Sequence, residues 1–230
     1  MEIDWGLSKQ LVKTSTSIKH RQTQHTANFS STKGKMTMAI EEHDSWIDKR
    51  TRHDLAADEV ISALQKEIRR GHTENAAFLA YEMLTTSEEL EAKLWQRLQI
   101  ISVEDIGYGQ ADAPILIQAL FQMHNNCPRP QGDRFLFALH AVRYLCRCIK
   151  DRSSDELLNW VKHAIETEGQ RPVVPEYAID MHTKAGRRLG RGERHFLEEG
   201  ALVSPELADR EQTYRQRLLE SLDAKDSRSS

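Results

Sequence analysis

The sequence predicts an all-α fold, and three features carry that reading. Apolar residues recur at helical spacing through most of the chain. Gly, Pro and capping residues (Ser, Thr, Asp) fall where helices would start and stop, and no stretch shows the strict alternation of a half-buried strand. Composition agrees, because 39% hydrophobic and 29% charged residues with 11 Gly and 6 Pro describe a loop-poor globular chain. Helices of ordinary length would number about eight to ten.

Residues 1–40 read as a mostly disordered, mildly basic arm, rich in Ser, Thr, Gln and Lys between Leu7 and Lys35. Residues 41–203 read as the helical domain, which Trp46 and Ile47 open with a short helix. Ala57, Ile61, Leu64 and Ile68 form one stripe, and Gly71 supplies the stop. Thr73 is the expected cap of "ENAAFLAYEML", and Thr86 with Glu89 the expected capping box of the helix through Leu90, Leu94, Leu98 and Ile101. Asp112 and Pro114 suit the start of "PILIQALFQMH". "RFLFALHAVRYLCRCI" is apolar around much of its circumference and reads as the most buried helix. Ser153 with Glu156 suggests a capping box before "LLNWVKHAI", and "EGQRPVVPE" links it to a further helix from about Pro175. Residues 204–230 read as a charged helix from Ser204-Pro205 to Leu222 and a frayed end.

Composition also excludes several functions. A net charge of −3 rules out a bulk polycation, so any nucleic-acid contact must come from a local basic patch. Three cysteines (Cys127, Cys146 and Cys148) form no disulfide framework and read as ordinary thiols. No apolar run approaches the roughly 20 residues of a membrane span, and the first residues lack the apolar core of a signal peptide. The expectation is a cytoplasmic protein with no membrane partner.

Nor does a catalytic centre emerge. Gly186, Gly190 and Gly192 give G-x-x-x-G-x-G without a preceding strand, which is not a dinucleotide fingerprint, and no P-loop word occurs. His195, Glu198 and Glu199 share a helix face suited to a metal, and His53-Asp54 matches the pair of HD-type phosphohydrolases, but His43-Asp44 repeats it. Glu104 and Asp105 are adjacent, point about 100° apart on a helix and are expected to serve a turn. The expectation is no catalytic residue, no cofactor and no metal. What remains is a basic face. On a helix from Pro175, Ala178, Met181, His182, Ala185 and Leu189 turn inward while Lys184, Arg187, Arg188 and Arg191 form an opposite stripe. These four with Arg194 are the candidate contacts to DNA phosphates or an acidic partner, and Arg69 and Arg70 are candidates to extend them.

Three blocks carry a family resemblance: "VISALQKEIRRGHTENAAFLAYEML" with "IISVEDIGYGQADAPILIQAL", "GDRFLFALHAVRYLCRCIKDRSSDELLNWVKHAI", and "VPEYAIDMHTKAGRRLGRGERHF". In order and spacing, from Leu55 to Phe196, they resemble the C-terminal helical region of the RarA/MgsA recombination ATPases, relatives of the Werner-helicase-interacting protein. The words are Ile61-Ser62-Ala63-Leu64-Gln65-Lys66, Ala76-Ala77-Phe78 and Ser102-Val103-Glu104-Asp105-Ile106-Gly107. The family's Ser-Glu-Asp is stretched here by Val103, and Glu176 to Ile179 replace its usual word after Val174-Pro175.

The resemblance implies a clamp-loader-collar-like domain that assembles as a homo-tetramer and acts with an AAA+ motor at stalled replication forks. Fewer than sixty residues precede the matching region and no P-loop occurs, so the chain reads as a collar without its motor. The expected function is a non-catalytic oligomerising module in DNA replication, recombination or repair. It would bind DNA or a separately encoded AAA+ ATPase. The alternatives are an HD-like metal-dependent phosphohydrolase built on His53 and Asp54, and a protein–protein adaptor without nucleic acid.

Overall fold

Five helices, α1 (Ala57–Arg70), α2 (Thr73–Thr86), α3 (Glu88–Glu104), α4 (Ala113–Asn125) and α5 (Asp133–Arg147), pack around one apolar core in the computed structural model, which describes residues 46–129 and 132–229. The arm expected over residues 1–40 lies outside the described residues. α1 buries Ala57, Leu64 and Ile68 as its stripe predicts, with Ile61 half-buried at the edge. Gly71 stops it in the left-handed conformation at φ 78°, and His72 N–H closes back on the Glu67 carbonyl. Further on come α6 (Ser153–Glu166), two short helices α7 (Lys184–Arg188) and α8 (Glu193–His195), and α9 (Thr213–Ser229). Nine helices and no strand among the described residues make the fold all-α. None of these helices is long and apolar enough to cross a membrane.

The centre of the bundle is α3, not the Cys-bearing α5. α3 touches α1, α2, α4, α5 and α6 and buries seven residues, Trp95 and Leu98 among them; α5 buries five and leaves Leu136 exposed. An apolar circumference therefore did not mean a covered one. Cys146 and Cys148 stay thiols, and burial pushes both up from their ordinary pKa.

Several helix starts shift by a residue or more. His72, not Thr73, precedes α2, and the Thr73 hydroxyl instead donates to the Gly71 carbonyl. Ser87 rather than Thr86 caps α3, accepting Leu90 N–H at 3.1 Å, while Glu89 pairs with Lys49. Residues 46–48 form a turn rather than a helix, with Trp46 held under Lys49. α9 begins at Thr213, nine residues after Ser204, where the Glu211 carboxylate accepts the Thr213 N–H, and it continues through Ser229.

α3 carries two carboxylates into the interior, and each is neutralised by residues distant in sequence. Near its start Glu91 accepts from Arg134 Nε (2.5 Å), Arg129 Nη2 (2.7 Å) and His124 Nε2 (2.8 Å). His124 must give its Nδ1 hydrogen to the Arg134 carbonyl at 3.0 Å, so the contact with Glu91 needs a second proton on the pair. Burial pulls the imidazole pKa down against that demand. At the far end Asp105, fully buried, accepts from Arg69 Nε, Gln65 Nε2 (2.8 Å) and Arg152 Nη1 (2.8 Å). Glu104 reaches the same three donors, so the two carboxylates expected to serve a turn instead share one polar cluster. Arg69, a candidate extension of the basic face, is consumed there.

Burial alone would raise the Asp105 carboxyl, but Arg69, Gln65 and Arg152 hold it below its ordinary value of 3.8. Glu82 behaves alike: burial raises it, yet donors from Thr51 and His53 bring it to about 2, from an ordinary 4.5. His53, half of the HD-type pair, therefore anchors the segment before α1 by donating Nδ1–H to Glu82 at 2.7 Å. Carboxyls depressed in the folded state contribute stability that is complete above their unfolded values and lost as pH falls through the folded ones. Unfolding midpoints should thus fall steeply between pH 4.5 and about 2, followed by circular dichroism. Asp105→Ala, which leaves two guanidinium groups without their buried partner, should cost about 3–5 kcal/mol in denaturant titrations at pH 7.

Candidate interaction surfaces

α6 is fixed at its first turn and free along the rest. Asp151 N–H donates to the Asp105 carbonyl at 3.0 Å, and the Asp151 carboxylate accepts Ser153 N–H at 2.9 Å. Asp151 therefore does the capping assigned to Ser153, while Arg152 runs from the helix start to Asp105 and to Asp155. Beyond that turn only Ala164 is buried. Leu157 is 61% and Trp160 53% exposed, and Leu158, Val161 and Ile165 are open as well. These residues recur at helical spacing, so the helix presents a continuous apolar face to solvent. A groove of about 560 Å³ runs between α3 and α6, floored by Ile100, Val103 and Leu158.

The predicted basic helix breaks into pieces. Glu176–Ala178 form a single 3-10 turn, and Asp180 then ends any helical run: its carboxylate accepts His182 N–H at 2.9 Å and its carbonyl accepts Thr183 N–H. Hydrogen bonds from His182 also hold the Asp180 carboxyl below its ordinary value. A new helix, α7, starts when Thr183 Oγ1 accepts Gly186 N–H at 2.9 Å, and Gly190 at φ 70° closes it. Gly186 is a close approach, since a methyl group there would run into the Asp180 carbonyl. His182 is exposed but packs edge-on against Phe196, and Leu189, expected to point inward, is 63% exposed.

The five candidate cations separate accordingly. Arg191 turns back to the carbonyls of Glu176 and Ile179 and pairs with the Glu176 carboxylate. Arg194 pairs with Glu198 and Asp223. Arg187 donates to the carbonyls of Met181 and His182 yet keeps an exposed head. Lys184 and Arg188 are exposed on the same short helix. The opposite stripe thus shrinks to Lys184, Arg187 and Arg188, because the local turns use the other two. Arg70 donates to the Lys66 carbonyl. Glu198 is engaged by Arg194, and among the described residues no three His, Cys, Asp or Glu side chains converge to hold a metal.

A family model described as MgsA AAA+ ATPase C terminal matches residues 71–213, well over half of the chain. The chain belongs to that family. The match takes in α2 to α8, Asp105 with Glu104 and Arg152, and the whole of the Asp180–Phe196 segment, while Gln65 and Arg69 of the Asp105 cluster lie before it on α1. The Ile61–Lys66 word on α1 precedes it. No curated protein matches the chain. Within this MgsA C-terminal domain, sequence reasoning missed the two buried polar clusters and the bareness of α6. The periodicity of Leu157, Trp160, Val161 and Ala164 was the one signal that pointed to α6, and periodicity does not tell which helices are covered.

Gly186→Ala should unfasten the Asp180–Gly190 turn without touching the bundle. Hydrogen exchange should accelerate across residues 176–200 while protection in α1 to α5 is unchanged.

Proposed function

We propose that this MgsA-type domain is a non-catalytic, self-associating helical module that serves an AAA+ motor in DNA replication, recombination or repair. The apolar face of α6 carries the reading. A helix that leaves Leu157, Trp160 and Val161 in water gains most by burying them against another surface. Its first turn is held by Arg152 and Asp151, so the face is presented in a fixed place rather than collapsing onto its own bundle. Membership in a family described as an AAA+ ATPase C terminus supports an AAA+ motor as the partner. Light scattering coupled to size exclusion tests the module directly. The expected result is a mass of at least two chains at micromolar concentration, and a strict monomer up to hundreds of micromolar would overturn the proposal.

DNA contact is a second reading, favoured by the exposed trio Lys184, Arg187 and Arg188. Three phosphate contacts give weak, strongly salt-dependent binding. Lys184→Glu with Arg188→Glu, which spares the carbonyl contacts of Arg187, should abolish binding to a fluorescent oligonucleotide at low salt. Unchanged affinity in that double variant removes α7 from the DNA contact.

A further inference from the structure

We propose that the cavity between α3 and α4 binds an adenine-type purine base, carried by a free nucleoside or by an unpaired position of a single strand. The site shares no residue with the apolar face of α6 and does not depend on self-association. The cavity measures about 520 Å³, within the range of small-ligand pockets. Trp95 on α3 and Phe121 on α4 form its aromatic wall, with ring centroids 5.4 Å apart. Gln96 on α3 and Asn125 on α4 line it as well, and both are exposed.

The unused hydrogen-bonding groups select the ligand class. Trp95 is 1% exposed, and its Nε1–H is buried without an acceptor among the described residues. An indole N–H only donates, so the missing partner is an acceptor, and a buried donor left unpaired carries a cost that a bound ligand relieves. The carboxamides of Gln96 and Asn125 also make no hydrogen bond among the described residues, and each offers an acceptor and two donors.

The charged side chains of the cavity are all engaged. Arg129 pairs with Glu88 and Glu91, and Arg134 pairs with Glu91. Both ring nitrogens of His124 are taken, by Glu91 and by the Arg134 carbonyl. No lining cation is left for a phosphate or a carboxylate, so the site suits an uncharged group. An adenine-type base meets these conditions. Its N6 amine and N7 form an edge that one carboxamide pairs with through two hydrogen bonds. N3 remains as an acceptor for the indole, and the flat fused rings lie against the aromatic wall.

The test titrates the full 15N-labelled chain with adenosine and follows the Trp95 Nε1–H resonance. That resonance should move and saturate with a Kd on the order of 0.1 mM. Ala92→Trp, at an exposed position lining the cavity, should fill it and remove the shift while helical circular dichroism stays unchanged. Gln96→Leu combined with Asn125→Leu should weaken binding at least about tenfold. A short oligo(dA) that binds more tightly than adenosine identifies a strand as the source of the base, and one that binds no better identifies the free nucleoside. ATP should bind no more tightly than adenosine. A Trp95 resonance that neither adenosine nor oligo(dA) moves would overturn the proposal. So would a shift that survives Ala92→Trp, equal binding of uridine, or a tenfold preference for ATP.

Discussion

Two carboxylates buried on one helix set the terms for the rest of the structure. Glu91 lies in the first turn of α3 and Asp105 is its C-cap, fourteen residues on and about 21 Å along the axis by helical rise. Neither tolerates burial without a cation, because an uncompensated charge in the interior costs several kcal/mol. The cations come from elsewhere: Arg129 and Arg134 from the connection between α4 and α5 and the start of α5, Arg69 from α1, Arg152 from the start of α6. The apolar core holds helices together without specifying which partner lies where. The two clusters add that specification, since only one arrangement brings every guanidinium to its carboxylate.

The second cluster has a consequence for function. Arg152 is both the charge that Asp105 requires and the residue at which α6 begins. The direction in which α6 leaves the bundle is therefore tied to a buried ion pair rather than to packing along its length. A helix mounted at one end can keep its apolar side for another surface, and this is how Trp160 and Leu157 come to stand in water. The bundle thus stabilises a feature that contributes little to its own core.

How much of this was legible in the sequence depended on the range of the interaction concerned. Local rules worked where a single residue dictates backbone conformation: Gly71 ends α1, and the stripe of α1 is buried as its spacing implies, with Ile61 at its edge. They slipped by one residue where neighbouring hydroxyls compete for a cap, as Ser87 did with Thr86. They failed over residues 175–191, where a helical pattern in the side chains met an Asp180 turn stabilised by its own backbone and by the close approach of Gly186. The basic stripe failed with it, since a stripe exists only if the helix does.

Long-range chemistry was hidden for a different reason. Adjacent Glu104 and Asp105 diverge on an ideal helix, and that geometry argued against joint action. At the end of α3 the two nonetheless reach common donors, because Arg69 and Arg152 are long and forked enough to span both. Similarly, nothing local distinguishes the apolar stripe of α6 from that of α1. The difference lies in what the chain brings to each: α2 and α5 cover α1, and no comparable element covers α6 among the described residues. Amphipathic spacing reports that a surface is built to be buried. The identity of the covering element is settled by topology, which the spacing of one helix does not contain.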